Sequence, residues 1–163
     1  MTGGTLPAAL IFAALGLGLS FAPRRVRAPA LLVAAIAATL ATVLLHVPPD
    51  GSGAVLIYFA CWASVVIAAA SVHLPGGLPQ PAAVMLSLVC GAAAGAVIAA
   101  AGSLQDLATA ASAALVILPA SWLVGSGRGI AVKVVTSWLI AIALLAAFLP
   151  LTPTPGYAPD HME

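Results

Sequence analysis

Six apolar runs of about 16 to 20 residues recur along the chain: Leu6–Phe21, Ala30–Val47, Ala54–His73, Ala82–Ala101, Leu107–Val124 and Ile130–Leu149. No Asp, Glu, Lys or Arg lies deep within any of them. This pattern constrains the fold more than any other feature. About 20 residues at 1.5 Å rise cross a ~30 Å hydrocarbon core. In lipid the backbone must satisfy itself, so the runs are helices or strands of a closed barrel. Barrel strands alternate polar with apolar residues, and these runs do not. With 63% hydrophobic and 6% charged residues, the chain cannot clothe a water-soluble core, which draws on roughly 25% charged residues. The expected fold is all-α: a polytopic transmembrane bundle of six membrane-spanning helices with short loops. Residues 1–150 form it, and 151–163 form an extended extracytoplasmic C-terminal tail.

The breaks between runs are rich in turn formers. "VPPDGSG" (Val47–Gly53) and "LPGGLPQP" (Leu74–Pro81) read as turns. Pro29 and Pro81 stand just ahead of apolar runs, where a missing first-turn N–H costs little. Asp106 falls near the start of the fifth helix, where a negative charge suits the dipole. "GSGRG" (Gly125–Gly129) parts helices five and six. The N-terminal run has no basic residue ahead of it, unlike a secretory signal, so it is expected to be a retained span. "PRRVRAP" and "PGGLPQP" share a proline pair at an offset of 52 residues, which three similar hairpins also produce by chance.

Charge is scarce and segregated. Of five basic residues, Arg24, Arg25 and Arg27 fall between runs one and two. Arg128 falls between runs five and six, and Lys133 is close enough to that end to snorkel back. With six spans all five lie on one side. Asp50, Asp106, Asp160 and Glu163 lie on the other. Basic loop residues stay cytoplasmic, so both termini are expected outside, in a multi-pass inner (plasma) membrane. Arg24, Arg25, Arg27, Arg128 and Lys133 thus read as topology and lipid-headgroup residues. In general character the chain resembles the small polytopic inner-membrane proteins of bacteria with alanine-rich genomes.

The polar residues inside the runs are few. Thr39, Thr42 and His46 are spaced three and four apart, on one helix face, as a polar path would need. Ser87, Gly91 and Gly95 form a small-residue face that includes a GxxxG, and Ser64, Ala68 and Ser71 form a second. Such faces let helix backbones approach closely, and helix-pair seams are expected there. Pro119 predicts a kink in helix five, with Ser121 placed to re-satisfy the freed backbone. Tyr58, Trp62, Trp122 and Trp138 suit membrane-interface anchoring.

No motif for catalysis stands in the chain. GxSxG, HExxH, a Walker loop and paired carboxylates are all missing. Cys61 and Cys90 form no CxxC and no metal-ligand spacing. His73 reads as an interfacial residue. A net charge of +1 provides no basic face for nucleic acid. No cofactor or metal is expected. The expected partners are the lipid bilayer and other membrane subunits, or a second copy. The leading expectation is a non-catalytic membrane subunit or scaffold of a larger complex. The alternative is a passive channel or small-solute transporter acting as an oligomer, and an intramembrane enzyme comes last.

Overall fold

The computed structural model describes residues 4–45 and 52–151. They form α1 (Thr5–Leu19), α2 (Arg24–Leu44), α3 (Ser52–Ala70), α4 (Gln80–Ala101), α5 (Leu104–Ala111), α6 (Ile117–Gly125) and α7 (Gly129–Phe148). Short 3₁₀ stretches follow α3 (Ser71–His73), join α5 to α6 (Ser112–Val116) and follow α7 (Leu149–Leu151). Six rods therefore occupy the six apolar runs. Five are long and apolar enough to cross a membrane, which makes this an all-helical bundle of membrane type. The first rod falls short of that length. His46, Asp50, Asp160, His161 and Glu163, with the tail from residue 152, lie outside the described residues.

The short rod is the centre of the bundle. α1 has 15 residues, or ~22 Å. Nine of them are buried, on every side of the helix. A helix that is apolar all round belongs inside, and the other rods surround this one. α4, α3, α7 and the α5–α6 rod contact it, and α2 closes the ring between α4 and α5. Ile11, Leu15 and Leu19 are fully buried along the axis.

Small residues set how closely the ring can close. A Cβ at Gly16 would lie 2.8 Å from the Ala114 carbonyl oxygen, and one at Gly18 would lie 2.7 Å from Ser71 Oγ and 3.0 Å from the Ala68 oxygen. Both α1 glycines are thus positions of backbone contact, on opposite neighbours. The α2–α4 seam is tighter still. Gly91 rests on the backbone of Ala34, and Gly95 on that of Ala38; a Cβ at either would collide with a carbonyl oxygen. Equal spacing on both helices makes this a parallel pair. Packing of this kind replaces the hydrophobic effect as the force between helices in lipid. Thr42 Oγ1 adds a bond across the seam, donating to the Gly95 carbonyl at 3.2 Å.

Two boundaries differ from the sequence expectation. α2 begins at Arg24 rather than Ala30, so Pro29 lies inside the helix. It removes only the bond to the Arg25 carbonyl, in an exposed first turn where solvent or headgroups can serve. The fifth rod does not merely kink at Pro119. It passes into a 3₁₀ stretch over Ser112–Val116 and resumes as α6. Pro119, third in α6, has no N–H for the Leu115 carbonyl, and the stretch just before it tightens to 3₁₀ geometry. That stretch is also the part of the rod lying against Gly16. Ser121 does not mend the break; its hydroxyl accepts a bond from Arg27.

Candidate functional site

The polar groups gather at the two ends of α1, and the ends differ. At its C-terminal end the last carbonyls need partners. The N–H groups of Ser20, Phe21 and Ala22 take the carbonyls from Gly16 to Leu19, and Arg27, one turn into α2, folds back onto carbonyls just beyond them. Its Nη2 donates to the Ser20 carbonyl at 2.7 Å, and its Nε donates to the Ala22 carbonyl at 3.0 Å. The remaining arm, Nη1, donates to Ser121 Oγ on α6 at 2.8 Å. One guanidinium thus ties α1, α2 and α6. Its positive charge lies at the negative end of the α1 dipole, the favourable sense. The loop before α4 closes on the same end. Gly76 and Gly77 take φ of 86° and 82°, and the Leu78 N–H donates to the Phe21 carbonyl at 3.5 Å.

The opposite end carries the complement. Asp106 closes a capping box with Ser103 at the start of α5, accepting from the Ser103 N–H at 2.8 Å and from its hydroxyl at 2.9 Å. Its other oxygen accepts from Thr5 Oγ1 in the first turn of α1 at 3.0 Å. One carboxylate therefore serves the positive ends of two helices. Sequence reasoning placed Asp106 at the α5 start but missed its bond to α1 and the tie made by Arg27. The Thr5–Asp106 and Arg27–Ser121 bonds have no local signal, since each joins residues far apart in the chain. The α1 glycines did carry a signal: two glycines within "LGLGL" mark close backbone approach.

The other basic residues remain outward. Arg24 and Arg25 are exposed on the first turn of α2, Arg128 is exposed as the residue preceding α7, and Lys133 is exposed on α7. All five basic residues lie toward the Arg27 end of the bundle, and Asp106 lies at the other. Arg128 also completes the end of α6. Its N–H donates to the Leu123 carbonyl at 2.8 Å, and the Gly127 N–H donates to the Val124 carbonyl at 3.2 Å, with Gly127 at φ 78°. These are the paired bonds of a Schellman cap.

The remaining expected residues separate. Thr39 is exposed and bonds its own helix at Ala35, whereas Thr42 is spent on the α2–α4 seam. The third residue of the expected polar path, His46, lies outside the described residues. Ser64 and Ser71 donate to carbonyls of their own helix at Ala60 and Ala68, while Ala68 and Ser71 face α1. Ser87 is fully buried, and among the described residues its hydroxyl is the buried side-chain polar atom without a partner. His73 is exposed at the end of the 3₁₀ stretch that follows α3, with Nε2 3.3 Å from Thr136 Oγ1 and 3.5 Å from Ser137 Oγ. Tyr58 donates its hydroxyl to the Ala146 carbonyl, joining α3 to α7. Trp138 sits midway along α7 at 72% exposure, which places it away from a helix end. Pro119 is exposed on α6.

Two of the clefts in the described surface bear on the site. An open apolar groove of about 530 Å³ runs between α3 and α4, past Ile67, Met85 and Val89. A smaller cleft of about 280 Å³, lined by Arg24, Ser121, Trp122, Gly125 and Ser126, opens between α2 and α6 at the basic end. Among the described residues no three His, Cys, Asp or Glu side chains converge as metal ligands. Cys61 and Cys90 are buried thiols, the latter pointing at the Ser64 carbonyl at 3.9 Å. No protein-family model, curated protein or solved structure matches this chain.

Proposed function

We propose that this chain is a non-catalytic membrane subunit or scaffold, which docks other membrane proteins through its outer helix faces. The observation that carries the reading is how its polar side chains are used. Arg27, Asp106, Thr42 and Tyr58 each hold one helix to another. They tie the bundle together and leave little for chemistry. The axis that a pore would need is filled by Ile11, Leu15 and Leu19 of α1. A passive channel would then have to run between protomers.

The outer surface is broad and apolar. Only 11% of the apolar stretch of α7 is buried, against 50% for α4. Trp138, Ile142 and Leu145 stand out along it. In this reading the basic end faces the cytoplasm by the positive-inside rule, α1 counts as a sixth span, and both termini face outward. Gentle extraction followed by identification of co-purifying proteins tests the role. A defined larger membrane partner is expected, and a stable lone monomer in mild detergent overturns the reading. A reporter active only outside the cytoplasm, fused to the C-terminus, tests the orientation. Activity is expected; a well-expressed but inactive fusion contradicts the six-span arrangement.

A further inference from the structure

The cleft between α2 and α6 combines features that no other part of the described surface brings together. Arg24 lines it and makes no bond to the described residues, so its guanidinium is available. Ser121 also lines it, accepting from Arg27 Nη1 at 2.8 Å. A hydroxyl that accepts from a cation retains its own proton to donate, and among the described residues this one donates to nothing.

The cleft wall formed by the end of α6 is the negative pole of that helix, and hydrogen bonds occupy three of its carbonyls. The Leu123 and Val124 carbonyls are occupied by the Schellman bonds, and the Trp122 carbonyl accepts from the Ser126 N–H at 2.9 Å. α2 itself starts at the cleft with Pro23 as its N-cap and no side-chain cap. Its dipole adds to the attraction for an anion. Trp122, 64% exposed, supplies the amphipathic ring that membrane interfaces favour.

From this arrangement we infer that the α2–α6 cleft binds the phosphate group of an anionic phospholipid at the membrane surface. Arg24 contacts the phosphate, the Ser121 hydroxyl donates to it, and Trp122 packs beside the glycerol region. The inference rests on the membrane placement of the basic end and not on the subunit role.

The test uses the full chain in nanodiscs of phosphatidylcholine with graded phosphatidylglycerol. Native mass spectrometry reads the fraction of protein that keeps one phosphatidylglycerol. Arg24→Gln is expected to weaken retention about tenfold or more, the loss of a charge-assisted hydrogen bond to the phosphate. Arg25→Gln, exposed on the same turn but outside the cleft, is expected to change it less than about twofold, since its attraction is diffuse and screened. Equal losses in the two variants overturn the cleft as a site, because they show general attraction to a charged surface. Millimolar inorganic phosphate is expected to leave the bound lipid in place. Its displacement shows that the cleft takes free phosphate and overturns the lipid assignment. Recovery in the nanodisc reads the membrane placement separately, and failure of the unsubstituted protein to incorporate overturns that placement and the inference with it.

Discussion

α1 and α7 are both strongly apolar helices, and the fold puts them in opposite places. α1 is enclosed by the other rods, and α7 turns most of its surface outward. In water, hydrophobicity sorts inside from outside. In lipid it cannot, because hydrocarbon solvates leucine as well as a core does. What distinguishes the two helices is side-chain size and the treatment of their ends. α1 presents Ala8, Ala14, Gly16 and Gly18 to its neighbours and is buried there. α7 carries Trp138, Ile142 and Leu145 on its outer side. A helix can be surrounded only if its neighbours' backbones can approach it, and small residues permit this. The short length of α1 follows: a helix that meets little lipid need not match the bilayer, provided each end finds polar partners. Arg27 and Asp106 supply them.

The contrast yields graded expectations, each read by thermal unfolding in one detergent. The largest effect is expected where small residues allow backbone contact. Gly16→Leu and Gly91→Leu should each cost ~3 kcal/mol or more, at the upper end for overpacking, because Ala114 and Ala34 meet them with backbone atoms. Behaviour like the parent protein would remove the packing account. Next comes Arg27→Gln, which loses a charged donor to two carbonyls and Ser121 and should cost about 1.5 to 3 kcal/mol. Arg25→Gln is its control, expected within about 0.5 kcal/mol.

At the other end, Asp106→Ala should cost about 1 kcal/mol, the usual worth of a cap. A loss above that of Arg27→Gln would reverse the ranking of the two ends. Thr42→Val removes one interhelical bond and should cost ~0.6 kcal/mol, as such bonds do in membranes. The smallest effect is expected on the outer face. Trp138→Leu should stay within about 0.5 kcal/mol, yet reduce recovery of any partner that docks on α7. A large loss of stability there would show that α7 is more enclosed than described.

Much of the fold can be read in the sequence because its signals are local. The apolar runs and the described Pro/Gly breaks at residues 74–79 and 125–128 appear as rods and turns. The α3 and α4 bounds lie within a few residues of the runs that announce them. The centre of the bundle was not legible, since hydropathy assigns α1 and α7 the same character. The start of α2 was misplaced because Pro29 reads as a helix beginning, whereas Arg27 holds the preceding turn helical by bonding to the end of α1. The broken fifth rod was only half legible. Pro119 announces a disturbance, but the extent of the 3₁₀ stretch accompanies a close approach to Gly16, which no local pattern encodes. The candidate site was legible as a basic cluster. The division of its arginines, with Arg27 spent inside and Arg24 free at a cleft, needed the tertiary structure.

The central claim is that α1 is the enclosed axis. The most direct test is photolabelling of the protein in nanodiscs with a phospholipid whose acyl chain carries a photoreactive group, with adducts mapped by peptide mass spectrometry. The account predicts adducts along α7, at Trp138 and Leu145 among others, and none from Ile11 to Leu19 of α1. Labelling of Ile11 or Leu15 at the level seen on α7 would contradict it.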